Sequence, residues 1–431
     1  TNGISFQQGA TNTYTVGGGV KSTTSGDFEF TIDTLNHTAS STQVTAAGYK
    51  YKNHNATYSE AAPHAEAWAG RSAVGNKVEN NKLSVTGGTI NTAAYGGLVI
   101  NNKPGATTGD AENNKIVVNG TANVADAYGA QVRTKDGNAT ENSAEITGGT
   151  VNNNVYGASL AAANATGTAD KSKVDISGSA NITGDVYGGH IAQANATGTI
   201  TNSEINISGS ATITGDVYGG YHAGSGNATG GTLSISGGNV GGTIYGNHTN
   251  AGDATGATIN ITGGTLHDVY GGFANGTGKT TGNIVNLGTE SDAVAGTTNI
   301  SGTIYGGNQT NDVTGNTLNV YDSVSAGNIA NFDQVNFKTT SSHITAGDTL
   351  LTLNGGNATT LDWNKLHVDD LDNTTASATE DRILTLMENA NHINFGTSYS
   401  DTGTRGRIHT NDYEADMTTD GNSATTTKVY L

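Results

Sequence analysis

Apolar residues fall at i and i+2 in short runs: Ile205 and Ile207, Leu233 and Ile235, Ile259 and Ile261, Leu318 and Val320. That alternation puts one face inward and one outward, the mark of a half-buried strand. Gly, Asn, Asp and Thr between the runs supply turns, including those that need a positive φ. No segment before about residue 360 shows a helical period. Ser-Gly or Thr-Gly-Gly usually ends each run, and one more apolar residue follows, such as Ile182, Ile213 or Leu266. Then comes Tyr-Gly. It recurs at Tyr95, Tyr128, Tyr156, Tyr187, Tyr218, Tyr245, Tyr270 and Tyr305, at spacings of 33, 28, 31, 31, 27, 25 and 35. Trp68 reads as a degenerate copy before the first, and Asn328-Ile329-Ala330-Asn331-Phe332 as the close of the series.

Strands this short form no stable sheet alone. Stacked coil on coil, they pair into long parallel sheets and bury one column of Ile, Val and Leu. The expected fold is all-β: a right-handed parallel β-solenoid of about nine or ten coils with N- and C-terminal β caps. At roughly 4.8 Å per rung its core is a rod of about 45 Å. Unit length varies, so insertions bulge at corners, most simply in polar turns such as Asn195-Ala196-Thr197-Gly198. The pattern divides the chain into an N-terminal cap at 1–50, with Phe28, Phe30 and Ile32 alternating as a strand, repeats at 51–337, and a C-terminal β cap at 338–431. Beyond residue 339 Gly becomes scarce and Leu frequent, as in Leu350-Leu351-Thr352-Leu353.

Composition sharpens this. Of 431 residues, 63 are Gly, 2 are Pro and none is Cys, and only 13% are charged. Leu, Ile, Val and Phe together are so few that an irregular globule could not form, but a repeating unit needs only two or three inward side chains. The absence of Cys excludes disulfides and thiolate metal sites. The net charge of −18, with no segment rich in Lys or Arg, argues against nucleic acid. No apolar run is long enough for a membrane-spanning helix.

The Asp-Val-Tyr-Gly-Gly of 185–189 and 216–220, the Asn-Ala-Thr-Gly turns and the Ile-x-Ile-Ser-Gly of 205–209 resemble passenger regions of autotransporter surface proteins from anaerobic Gram-negative bacteria. The passage from Gly327 to Phe337 looks like the end of such a passenger. The resemblance implies secretion, a cell-surface location and a cap that precedes an outer-membrane barrel. Known passengers include adhesins, toxins, proteases and esterases, so it leaves the activity open. The 92 residues after Thr339 are too few for a twelve-strand barrel, so contact with an outer membrane is expected only through a barrel lying elsewhere.

Several residues are candidates for chemistry. Asp126, Asp185, Asp216 and Asp268 stand two before their Tyr, and in register they form an acidic column. Stacked carboxylates repel, raise a pKa or recruit a cation such as Ca²⁺, and could act as an acid/base pair. The plainer reading is that each Asp hydrogen-bonds the following turn, a task that Asn154, Thr243 and Thr303 share. The Tyr column, with Trp68, reads as a structural ladder of offset-stacked rings or, if it faces outward, as a sugar- or protein-binding stripe. His190, His222 and His248 follow their Tyr by three, four and three residues, a poor match to a stacked metal site. No Gly-x-Ser-x-Gly elbow is present.

These features point to a non-enzymatic extracellular solenoid without a cofactor, an adhesin passenger presenting repeated loops to a protein or glycan on another surface. Two alternatives stand beside it. One is a fibre subunit assembling head to tail, with Val429 and Leu431 of the final strand added to the sheet of the next copy. The other is a polysaccharide-acting enzyme built on the Asp column.

Overall fold

The computed structural model describes residues 13–16, 19–22, 51–52, 55–59, 63–72, 75–100, 108–339, 341–345, 347–368, 384–400, 406–408, 413–415, 417–420 and 423–431. It is an all-β parallel solenoid of about 11 turns, close to the expected count. The strand expected over Phe28 to Ile32 lies outside the described residues, as does most of the N-terminal cap.

One coil serves for the rest. Thr199–Thr201, Glu204–Ile207, Thr212–Ile213 and Val217–His222 follow one another around the rod. Each pairs in parallel with its equivalents one coil away: Ile205 with Val174 and Leu233, Tyr218 with Tyr187 and Tyr245. The coil thus carries four strand segments, where the pattern suggests two or three. The Ile-x-Ile segment turns Ile205 and Ile207 inward, and Ile213 and Val217 meet them from the other walls. This main core runs the length of the rod. A second, narrower core lies beside it, built from Val99, Val132, Leu160 and Ile191 against Ala139, Ala169, Ile200 and Ala228.

A wall of small and amide side chains separates the two cores. Asn81, Asn114 and Asn142 stack there, all essentially buried. The amide oxygen of Asn142 accepts the backbone N–H of Asn114 at 2.9 Å and its side-chain N–H at 3.0 Å. Asn283 and Asn316 repeat the arrangement further along. The second residue after each Tyr faces this wall and is Gly in most coils, because a Cβ on Gly97 or Gly272 would strike Asn114 or Asn283. Where the wall residue shrinks to Ala257, the facing residue grows to Asn247, whose amide donates to Gly230 O at 2.9 Å and Thr255 O at 3.1 Å.

One corner is left-handed throughout. Asn80, Asn113, Glu141, Lys171 and Asn202 have φ between 49° and 57°, and Gly230, Gly256, Gly282 and Gly315 take over further along. Asn and Gly suit that conformation; Glu and Lys do not.

Parallel pairing continues past residue 337, where the Tyr-Gly signal ends. Thr349–Leu353 pairs with Val324–Ala330 and then with Thr385–Asn394, and Leu366–Val368 pairs with Gln334–Phe337. The loss of the repeat is therefore no break in the sheets. The rod closes where Thr425–Tyr430 pairs antiparallel with Thr385–Asn394. Trp363 is buried there, edge-on to Phe395 and Tyr399 at ring distances of 5.0 and 5.1 Å. Val429 and Leu431 are buried in this cap of their own chain, and Leu431 exchanges backbone hydrogen bonds with Leu384. Strand addition to another copy would first have to pull them out.

Candidate functional site

The Val-Tyr-Gly strand alternates faces. Val186 belongs to the main core, so Tyr187 points outward. Eight tyrosines from Tyr95 to Tyr305 form one continuous stack on the far side of this wall from the main core, and its rings are half-buried to buried, Tyr95, Tyr156 and Tyr218 at most 9% exposed. Successive ring centroids lie between 4.3 and 5.5 Å apart and the planes within 18° of parallel. Each contact adds about 0.5–1.5 kcal/mol beyond area burial. Trp68 pairs in register with Tyr95, and the Arg71 guanidinium lies over its ring at 4.8 Å.

A second column runs alongside for four coils, three residues after Tyr187, Tyr218, Tyr245 and Tyr270. His190 stacks on Tyr221, Tyr221 on His248, and His248 on Phe273, at 5.6, 5.0 and 5.0 Å. Sequence reasoning did not see this column, because its residues differ in type and share only their offset. His222 is displaced from it by one residue, and a single step along a strand reverses the face. It pairs with Ile191 and sits fully buried in the second core. Its Nδ1 accepts the N–H of Gly224 at 2.9 Å, and its Nε2 donates to Gly198 O at 2.9 Å. The three histidines thus fall on two faces and do not converge as a metal site would require.

The Asp column flanks the stack on its other side. Asp126 Oδ1 accepts the N–H of Asn154, Asn154 Oδ1 that of Asp185, Asp185 Oδ1 that of Asp216, and Asp216 Oδ1 that of Thr243, at 2.7–3.0 Å. Asp268 does the same for Thr303 at 2.7 Å. Each side chain therefore ties its coil to the next. The remaining oxygens take phenols: Tyr187 donates to Asp185 and Tyr218 to Asp216, at 3.0 and 2.9 Å. This is the plainer of the two sequence readings, with the partner one coil away rather than in the same turn.

Desolvation sets the charge state of the face. Burial among the rings pushes the Tyr95 phenol up to about 12 and raises Tyr128, Tyr156, Tyr187, Tyr218, Tyr245 and Tyr270 as well. They are neutral donors at physiological pH. Burial also lowers His190 to about 3 and His248 to about 4, so the imidazoles are neutral too. Asp126 is raised by the same cause.

Elsewhere, an open groove of about 500 Å³ lies along the parallel sheet that includes Thr199–Thr201, lined by Asp110, Glu112, Asn138, Thr140, Asp170 and Thr201 among others. Its polar atoms bond one another: Thr201 donates to Asp170 at 2.6 Å and Asn138 to Asp110 at 3.2 Å. On the aromatic face the two columns meet edge-on, as Tyr218 meets His248 at 5.6 Å and Tyr245 meets Phe273 at 5.4 Å. Comparison with family models, curated proteins and solved structures finds no match.

Proposed function

We propose that this chain is an extracellular attachment rod, the passenger of a bacterial surface adhesin, and that the aromatic face is the surface by which it attaches. The observation that supports this reading is the outward double column of stacked rings. The ring stack stabilises its wall, and it also gathers Tyr221, His248 and Phe273 into one aromatic strip beside the Tyr column. The stack holds the side chains rigid, so little rotamer freedom is lost when a partner docks. The repeat spreads binding over many equivalent rungs, where avidity matters more than a pocket. The reading is non-enzymatic, because the Asp oxygens are engaged in bonds between coils. The fibre alternative has less support, because Val429 and Leu431 fill their own cap.

The test is attachment of chain-coated beads to cultured epithelial cells, immobilised matrix proteins and mucin glycans. Native beads should bind at least one of these. A Tyr221→Ser/His248→Ser/Phe273→Ser variant should lose about tenfold or more, in keeping with loss of a central aromatic cluster, while its far-ultraviolet circular dichroism stays unchanged. Equal attachment by folded variant and native chain would remove the reading.

A further inference from the structure

His222 puts a titratable ring where earlier coils put an apolar side chain. In register, the inward position of the second core runs Val132, Leu160, Ile191 and then His222, followed by Thr249 and Ala274. His222 is fully buried there.

Its two nitrogens hold the corner at 223–227. Nδ1 accepts the N–H of Gly224 and Nε2 meets Gly198 O, both at 2.9 Å. A backbone N–H can only donate, so Nδ1 carries no proton and the ring is the neutral tautomer protonated at Nε2. Among the described residues, the stretch from Gly224 to Gly226 has one other bond to the preceding coil, Ser225 N–H to Ala196 O at 3.1 Å. Gly226 closes against the ring because it has no Cβ to press on Nε2.

Protonation is incompatible with this arrangement. A proton on Nδ1 sets donor against donor, and Gly224 N–H loses its acceptor. A buried charge also needs a counter-ion. Val186–Ile191 brings His190 and Ile244–Thr249 brings His248, both on the opposite face of their strands, and a charge on His190 would oppose one on His222. Thr199–Thr201, Ala228–Thr229 and the corner at 192–198 bring no charged group. The next corner brings Asp253, whose carboxylate accepts Lys279 N–H at 2.8 Å. No carboxylate among the described residues bonds the ring.

We propose that His222 is an acid-sensitive latch: on protonation its ring leaves the second core and the corner at 223–227 opens, while the main core keeps its ladders. Burial holds the folded imidazole below its ordinary value. In the open corner the ring meets water and takes a proton at about 6.5. The open population therefore rises about tenfold per pH unit below about 6.5, until the folded value is reached, and the latch is shut above that pH. Opening uncovers Ile191, Ala196 and Ala228, which share the second core. Glycines 224 and 226 let the corner turn without steric cost. The latch acts whatever the rod attaches to.

The test is amide exchange of the full chain from pH about 7.5 to about 5, corrected for intrinsic exchange. Protection of Gly224 and Ser225 should fall about tenfold per pH unit below about 6.5 and stay lower than that of Ile205 in the main core. Ala161, at the same corner beside Leu160, should keep its protection. Two variants remove the titration: His222→Ile copies Ile191, and His222→Asn keeps an acceptor for Gly224 N–H. Protection of Ser225 should be independent of pH in both. An unchanged slope in either folded variant would overturn the latch. Equal protection at Gly224, Ser225 and Ile205 would overturn it too, because the whole rod would then be opening. So would a His222 ring that titrates at or above about 6.5 in the native chain, read from its ring proton shifts.

Discussion

Asp185 accepts the backbone N–H of Asp216, 31 residues later, at 2.8 Å, and so one side chain staples two coils. The same carboxylate holds the phenol of Tyr187. Position in the fold, not acid/base chemistry, accounts for both oxygens. Asp185→Ala should cost about 1 kcal/mol, read as a lower urea midpoint, whereas Asp185→Asn should be near neutral. Equal losses for Ala and Asn would mean that charge, not the hydrogen bond, holds the column.

The wall between the two cores exchanges bulk between neighbouring coils. Asn247 is in register with Gly272, and Ala257 takes the place that Asn283 fills one coil on. Asn247→Gly should destabilise by about 1–3 kcal/mol, because Gly230 O loses its side-chain donor and Thr255 O keeps only the Gly230 N–H. Adding Ala257→Asn should restore most of that loss, read as a coupling energy in a double-mutant cycle. Simple additivity of the two losses would contradict this exchange.

The left-handed corner stores strain at two places. Lys171 has φ 49° and Glu141 φ 56°, where the other coils use Asn or Gly. Their mutual contact is 3.4 Å long and well exposed, so it offsets little. Lys171→Asn and Glu141→Asn should each raise the urea midpoint, by about 0.5–1 kcal/mol. A fall in either would show that the corner is not strained.

Acid should weaken the rod. His190, His222 and His248 all have folded values below the ordinary 6.5, chiefly from burial. As pH falls below about 6.5 the unfolded chain takes up protons that the folded chain refuses, so stability is full above that pH and declines towards about 4. Asp126, raised in the fold, acts in the opposite sense and only at lower pH. His248→Phe copies the ring that Phe273 places in the same column, and should flatten the fall in melting temperature between pH 7 and 4.5. An unchanged slope would assign the acid response to other groups.

The inward ladders were legible because alternation and spacing are properties of the backbone: Ile205 and Ile207, or the Tyr series, repeat with it. The second core was not, because each strand gives it one large residue, such as Ile191 or Leu160, against Ala, and a lone large apolar position has no period. The fate of His222 was open to simple parity, since an even offset from Tyr lies on the outward face only as far as the strand stays regular, and it bends at the two glycines. Ile191, at that same offset, goes inward. The coils beyond Phe337 were hidden for another reason. Parallel pairing needs only backbone: Leu353 continues the inward position of Ile300 and Ala326, while Ala330 already stands where Tyr305 stood and the Tyr-Gly signal is gone.

Independent repeats also make a length prediction. Removing residues 188–245 joins Tyr187 to Gly246 and keeps Tyr-Gly in register. The product should be a folded rod shorter by about two rungs, roughly 10 Å, in small-angle scattering. Collapse to an unfolded chain would contradict the stacking of equivalent coils.

The central claim is that the aromatic face is what touches the partner. Oxidative footprinting of the chain bound to cells, compared with the free chain, measures this directly. Tyr221 and Phe273 should lose labelling on binding, while Tyr321 and Tyr399, away from the face, should label equally in both states. Protection of Tyr321 and Tyr399 with Tyr221 and Phe273 unchanged would place the contact elsewhere and contradict the account.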